Sequence, residues 1–268
     1  MKNIGIIGFG NMGESLAKGL LKHAGDYSLS VSEKEGSRIA IARERYQLLV
    51  FKKLPKLIDE SDIVIIAVKP QDTIELFEEL KTIKKSIATG NKGVISVVTG
   101  KKIEVYREFF GINNVARFMP NIAAKTGKAI VGVSISETAD ENFEQECTKI
   151  ANSIGEAFPI PEKLMAAMTG ISGSGIAYVL QFIHAMAYGG VSSGIPYSDS
   201  IKVVTKVIEG ALSLLHTNNK GPVQLITEIA SPAGTTVEGL KLLEEKAFTY
   251  SVMEAVKKAT DKAKALEG

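Results

Sequence analysis

Tryptophan is absent from the 268 residues, cysteine occurs once (Cys147) and histidine three times (His23, His184, His216). A single thiol excludes an internal disulfide and a thiolate metal cluster, and it fits a reducing, cytoplasmic setting. The three histidines do not fall in metal-ligand spacing and read as structural. A dominant charge is also lacking: 32 Lys and Arg stand against 30 Asp and Glu, a net charge of +2. That removes the broad basic field expected of a nucleic-acid or membrane-surface binder. The opening MKNIGIIGFG lacks the apolar core and small-residue cleavage site of a secretion signal. What is present is ordinary for a globular chain, 45% hydrophobic and 23% charged residues, and the length allows two domains with sizeable cores.

The first part of the chain alternates between strand and helix patterns. Short apolar runs at 3–8, 28–31, 62–68, 93–98 and 114–119 read as strands. Helical periodicity fills 11–23, 36–46 and 73–80. The run DIVIIAV at 62–68 is β-branched almost throughout and reads as a central strand buried on both faces. Such alternation implies a doubly wound, largely parallel α/β sheet.

Beyond GEAFPIPEK (155–163) strand signals nearly vanish. Residues 164–198 contain no Asp, Glu, Lys or Arg, and IAYVLQFIHAMAY (176–188) is apolar on nearly every face. Thirteen such residues, bounded by glycines and carrying Gln181 and His184, are too few for a membrane span of about 20. The pattern predicts a fully buried helix, with a second subunit supplying part of the cover. Helical patterns continue at 198–216 and 237–266. The expected division is a dinucleotide domain over 1–160 and an all-helical domain over 161–268.

Directly after the first strand, GFGNMG places Gly8, Gly10 and Gly13 in GxGxxG spacing at the mouth of a helix, with Phe9, Asn11 and Met12 between them. Gly8 allows the turn, Gly10 lets backbone approach a pyrophosphate, and Gly13 lets helix and strand pack closely. After the second strand comes SEKEGSR (32–38). Glu33 suits the ribose hydroxyls of NAD, whereas Ser32, Lys34 and Arg38 suit the 2′-phosphate of NADP, and the loop leans to NADP. Ala67, Val68, Lys69 and Pro70 end the 62–68 run, at the carboxyl edge where open α/β sheets bind ligands.

Late in the chain, SPAGTTVEGL (231–240) sets a proline, a glycine and two threonines before a helical run. Two readings stand side by side. Thr235 or Thr236 caps the helix, or the helix start forms an anion seat.

IGFGNMG, AVKP, RFMPN (117–121), GISGSGIAY (170–178) and SPAGTT occur in this order, and together they resemble the pyrroline-5-carboxylate reductase family over essentially the whole chain. The resemblance implies a Rossmann domain followed by a helical dimerisation domain, homodimers or higher homo-oligomers, and reduction of a cyclic imine to L-proline by NADPH or NADH. It implies a small-molecule substrate and neither nucleic-acid nor membrane partners. It places Met119, Pro120 and Asn121 near the nicotinamide. It places the substrate carboxylate on the loop of Ser231, Pro232, Gly234, Thr235 and Thr236, with the Thr236 hydroxyl positioned for the ring nitrogen as the catalytic group. The chain departs from the family pattern at Ile122, Ile176, Ala233 and Thr249, and in lacking an asparagine within KKLPKLIDE (52–60).

Two rival functions are weaker. A β-hydroxyacid dehydrogenase needs an acid for the developing alkoxide, and the turn after Gly175 (Ile176, Ala177, Tyr178, Val179) supplies no lysine. A non-catalytic nucleotide-binding scaffold has no need of the 231–236 loop.

Overall fold

The computed structural model describes residues 1–23, 25–81, 87–88, 92–217 and 219–267. The chain forms two compact units, Met1–Ser174 with Lys258–Gly268, and Gly175–Lys257.

The first unit is built on an eight-stranded sheet: β1 (Lys2–Ile7), β2 (Tyr27–Ser32), β3 (Leu49–Val50), β4 (Ile63–Ile66), β5 (Gly93–Ser96), β6 (Val115–Met119), β7 (Ala129–Ile135) and β8 (Gly155–Pro159). Their order is β3-β2-β1-β4-β5-β6-β7-β8. Neighbouring strands run parallel except β6 and β7, which are antiparallel. The chain reverses direction across the sheet between β1 and β4, the switch point at which doubly wound sheets bind nucleotides.

The IVII run explains the centre. Side chains alternate across a strand, so Ile63 and Ile65 join the core on one face while Val64 and Ile66 join the core on the other. Both faces are covered, which is why every residue of β4 is buried. Helix Asn11–Leu20 contributes Leu16, Ala17 and Leu20 to the first of these cores.

Three strands go beyond those expected from sequence: β3, β7 and β8. In β7, AIVGVSI, Gly132 and Ser134 interrupt the apolar run, so its strand signal is weak although most of the strand is buried. The helix expected over 36–46 is α-helical only over Gly36–Ala40 and widens to a π-helix at Ile41–Arg45. The sheet ends at Pro159, next to the expected domain boundary, but the first unit continues to Ser174. Met165 and Met168 pack there against Met119 from the end of β6.

Residues 258–267 return to this unit. The carbonyl oxygen of Leu266 lies only 2.5 Å from where a Cβ on Gly100 would stand, and Gly100 itself has φ +81°. Close by, the Arg117 guanidinium is 1% exposed. Its Nη2 donates to Glu267 Oε1 at 2.6 Å, and its Nη1 stands 3.6 Å from Glu162 Oε1. Glu162 also accepts the Ile103 N–H at 2.7 Å. A cation this deeply buried needs both carboxylates to offset its lost hydration.

The second unit is helical: Gly175–Ser192, Tyr197–Thr217, Pro222–Ile229, Thr235–Glu245 and the larger part of Phe248–Ala265. The helix expected over 237–266 is two helices, broken at Lys246 and Ala247, where Ala247 adopts φ +54°. Burial of the Gly175–Ser192 helix is incomplete within one chain, as expected if a second subunit supplies part of its cover. Within one chain the chargeless Gly175–Ser192 helix buries only Ala187, and Val179, Leu180, Met186, Tyr188 and Val191 are exposed. The run Glu162–Ser192 is long and apolar enough to cross a membrane by length and composition, but Met165, Ala166 and Met168 at its start are buried in the protein core.

Glu267→Gln is expected to lower unfolding free energy by about 1–3 kcal/mol, because it keeps an acceptor but removes the nearer of the two carboxylate charges that offset the buried Arg117. Urea denaturation checks this, and an unchanged midpoint would show that the pair contributes nothing.

Candidate active site

β1 runs straight into the glycine turn. Gly8 has φ +92°, and a Cβ on it would lie 2.8 Å from the Ala67 carbonyl oxygen. Its N–H donates to Ser32 O at 2.9 Å, so the ends of β1, β2 and β4 meet at this turn. A Cβ on Gly13 would overlap the Gly8 carbonyl oxygen, whereas a Cβ on Gly10 would meet nothing within 4 Å. Gly10 is the N-cap of the Asn11–Leu20 helix and provides no side-chain cap. Among the described residues the amides of Asn11, Met12 and Gly13 have no acceptor. Open space in front of unpaired amides at a helix start fits a pyrophosphate. Phe9 turns its ring into the core, edge-on to Tyr46 at 5.9 Å, so only its backbone belongs to the loop. Met12 is half-buried against the same core.

Beside this turn lies a cavity of about 360 Å³ whose walls include Gly8, Gly10, Ser32, Lys34, Ala67, Val68 and Lys69. Pro70 follows Lys69 and opens a short 3₁₀ turn that leads into helix Thr73–Leu80. A larger hollow of about 900 Å³ lies along β7 and β8 and touches none of the expected site residues. Size alone does not make it a site. Two cations of the smaller cavity, Lys34 and Arg38, are already engaged. Lys34 Nζ donates to Glu75 at 2.8 Å and stands 3.7 Å from Glu79, and the bond to Glu75 raises its pKa. Arg38 donates to Glu14 at 3.2 Å, and the Tyr46 hydroxyl donates to the same carboxylate at 2.9 Å. Glu33 turns back to the glycine turn, where its Oε2 accepts the Phe9 N–H at 2.6 Å. Sequence reasoning misses Glu14, Glu75 and Glu79, because nothing in their local pattern separates them from solvated helix carboxylates.

At the end of β6, Met119 is buried with Met165 and Met168. Asn121 is buried too. Its Oδ1 accepts the Ala123 N–H and its Nδ2 donates to Ser172 Oγ, both at 3.2 Å. Its side chain therefore ties Pro120 and the end of β6 to the GISGSG segment. Ile122, the departure that follows, is exposed.

In the second unit the 231–236 loop closes on itself, with the Gly234 N–H donating to Ser231 O at 3.0 Å. Ala233 takes φ +57°, a left-handed conformation that favours glycine. Gly234 is the N-cap of the Thr235–Glu245 helix and offers no side-chain cap. Neither threonine caps that helix, which removes the first of the two readings open from sequence. Among the described residues the Thr235 and Thr236 amides have no acceptor and their hydroxyls no partner. What remains is an open helix start flanked by two hydroxyls, the composition of a carboxylate seat. The one thiol takes no part: Cys147 is buried, and burial pushes its pKa well up.

A family model for pyrroline-5-carboxylate reductase dimerisation matches residues 162–266, and one for NADP oxidoreductase, coenzyme F420-dependent, matches residues 3–100. The pyrroline-5-carboxylate reductase of Aquifex aeolicus is 33% identical over 98% of this chain and 97% of its own length. That of Methanosarcina acetivorans is 33% identical over 99% of this chain and 98% of its own. Among solved structures, 1-pyrroline-5-carboxylate reductase from Streptococcus pyogenes superposes with a TM-score of 0.85 at 31% identity, covering 98% of each chain. A Plasmodium falciparum pyrroline carboxylate reductase with NADP bound reaches 0.86 at 28% identity, over 100% of this chain and 98% of that one. With a nucleotide cradle at the head of its sheet, an uncapped helix start at 231–236 and relatives matched from end to end, this chain belongs to the pyrroline-5-carboxylate reductase family.

Proposed function

We propose that the reaction of this family, reduction of 1-pyrroline-5-carboxylate to L-proline by NADPH or NADH, is carried out here with the imine carboxylate on the amides of Thr235 and Thr236 and the Thr236 hydroxyl at the ring nitrogen. The observation that carries this reading is the helix start at Gly234, which is left without a cap. A helix that gives up a side-chain cap keeps its first N–H groups and their partial positive charge for a ligand.

The cofactor is held by the backbone of Gly8, Phe9, Gly10, Asn11, Met12 and Gly13, by Ser32 and Lys34, by Ala67, Val68, Lys69 and Pro70, and by Met119, Pro120 and Asn121. When bound, the nicotinamide supplies the hydride. A protonated cyclic imine is already electrophilic at carbon, so the chain has to bind, orient and exclude water rather than supply a nucleophile. The carboxylate seat fixes which face of the ring is presented. The Thr236 hydroxyl keeps a proton at nitrogen as the C=N electron pair moves there. The absence of Asp, Glu, Lys and Arg from 164–198 is compatible with such modest demands. The chain acts in the cytoplasm as a homodimer or larger homo-oligomer, a second copy covering the exposed apolar face of Gly175–Ser192.

Gly10→Val is expected to abolish NADPH and NADH binding with little loss of stability, because the added side chain enters empty space that the pyrophosphate needs. Fluorescence titration at near-normal affinity would remove the glycine turn as the cofactor seat. Thr236→Ala should lower single-turnover hydride transfer by about one to two orders of magnitude. Thr236→Ser should restore much of the rate. Since Thr236 caps nothing, the melting temperature should hold, and an alanine variant that transfers hydride at the parent rate excludes the proton role. Sedimentation at micromolar concentration should find no monomer, and a stable monomer would leave the apolar face without a partner.

A further inference from the structure

We infer that Glu33 makes this chain select NADH over NADPH, receiving the ribose diol and repelling a 2′-phosphate. The inference rests on the reading that the 8–13 turn seats a nicotinamide dinucleotide.

Glu33 follows β2 directly and lines the cavity beside the glycine turn. Its carboxylate is fixed by three backbone donors from two segments. Oε2 accepts the Phe9 N–H at 2.6 Å, and Oε1 accepts the N–H groups of Lys34 at 2.7 Å and Glu35 at 3.0 Å. Each carboxylate oxygen has more than one acceptor direction, so the group can still accept from hydroxyls. A ribose diol brings two O–H donors. A phosphate dianion brings only acceptors and like charge.

Neutralising that phosphate would fall to the cations nearest Glu33. Lys34 is held by Glu75 and Glu79, at 2.8 and 3.7 Å. Arg38 is held at 3.2 Å by Glu14, which also stands 3.7 Å from Arg45. The Lys34 pair is solvent-exposed, its lysine side chain at 70%, and such a pair is worth little and opens readily. The anchored Glu33 therefore decides the outcome. Releasing it costs three backbone hydrogen bonds, and leaving it in place sets two anions side by side. Glu35 and Asp72 add carboxylates to the same walls, while Lys52 and Lys69 are the remaining cations there.

The test is fluorescence titration of the purified full chain with NADH and with NADPH, without imine. NADH is expected to bind at least about tenfold more tightly, a modest share of what a like charge within about 4 Å costs near a surface. Glu33→Gln, which keeps one amide-oxygen acceptor and the side-chain length, should weaken NADH, tighten NADPH and bring the ratio toward unity; its NH2 cannot accept all three backbone N–H groups, so a small drop in unliganded melting temperature accompanies it and the ratio is read on folded protein. Equal or tighter NADPH binding by the parent chain, with Lys52 or Lys69 as its seat, overturns the inference. So does a Glu33→Gln ratio equal to the parent's. A preference for NADPH would leave imine reduction standing, whereas failure of both cofactors to bind would remove the glycine-turn reading itself.

Discussion

The approach of the first helix to the Gly8 carbonyl sets the geometry of the nucleotide unit. No side chain fits at Gly13 between the helix and the turn, so helix Asn11–Leu20 lies directly on the end of β1. That contact brings the helix amides level with the ends of β2 and β4, where Ser32 and Ala67 hydrogen-bond to the same turn or strand. Burial holds it in place. Leu16 and Leu20 pack with Ile4 and Ile6 in one core, each worth roughly 1.5–3 kcal/mol on full burial. A rigid apolar interior thus fixes a polar opening that is left unsatisfied at its mouth.

The second unit shows the complementary arrangement, in which local stability is given up at the loop. Ala233 in a left-handed conformation costs about 1–2 kcal/mol relative to a right-handed one. A helix start capped by Gly234 forgoes about a few tenths of a kcal/mol more relative to a Ser or Thr cap. Both sit within residues 231–236, and both leave backbone amides pointing outward. Strain and unpaired donors concentrated in one short loop are what a binding function asks of it.

Much of this architecture was legible in the sequence because its causes are local. The β-branched IVII run can only be a strand covered on both faces, and the glycine spacing announces its turn. Helix Thr73–Leu80 matches its expected bounds. What escaped detection depends on distant partners. β7 carries Gly132 and Ser134 and is a strand by virtue of the neighbours it pairs with, β6 and β8. The π-turns at Ile41–Arg45 and Thr169–Gly173 leave no mark on hydrophobic periodicity. The burial expected for Gly175–Ser192 reads the right composition, but the chain itself does not supply the cover. At the loop of SPAGTT the residue types allow either a cap or an anion seat, and only the backbone course, with Gly234 rather than a threonine at the cap, sets the capping reading aside. Glu33, Lys34 and Arg38 are visible as charges in a loop, whereas their engagement with Phe9, Glu75 and Glu14 is a matter of tertiary structure.

The return of residues 258–267 to the first unit carries a consequence for how the protein is made. Chains leave the ribosome from the N-terminal end at about 5–20 residues per second, and domains usually fold as they emerge. Here the sheet and the glycine turn are complete well before the segment that supplies Leu266 beside Gly100 and Glu267 to the buried Arg117. During synthesis the nascent nucleotide unit therefore waits, with the buried guanidinium paired only with Glu162, while the entire helical unit is translated. Vectorial folding cannot close the first unit until the second has been made, so the two halves mature together.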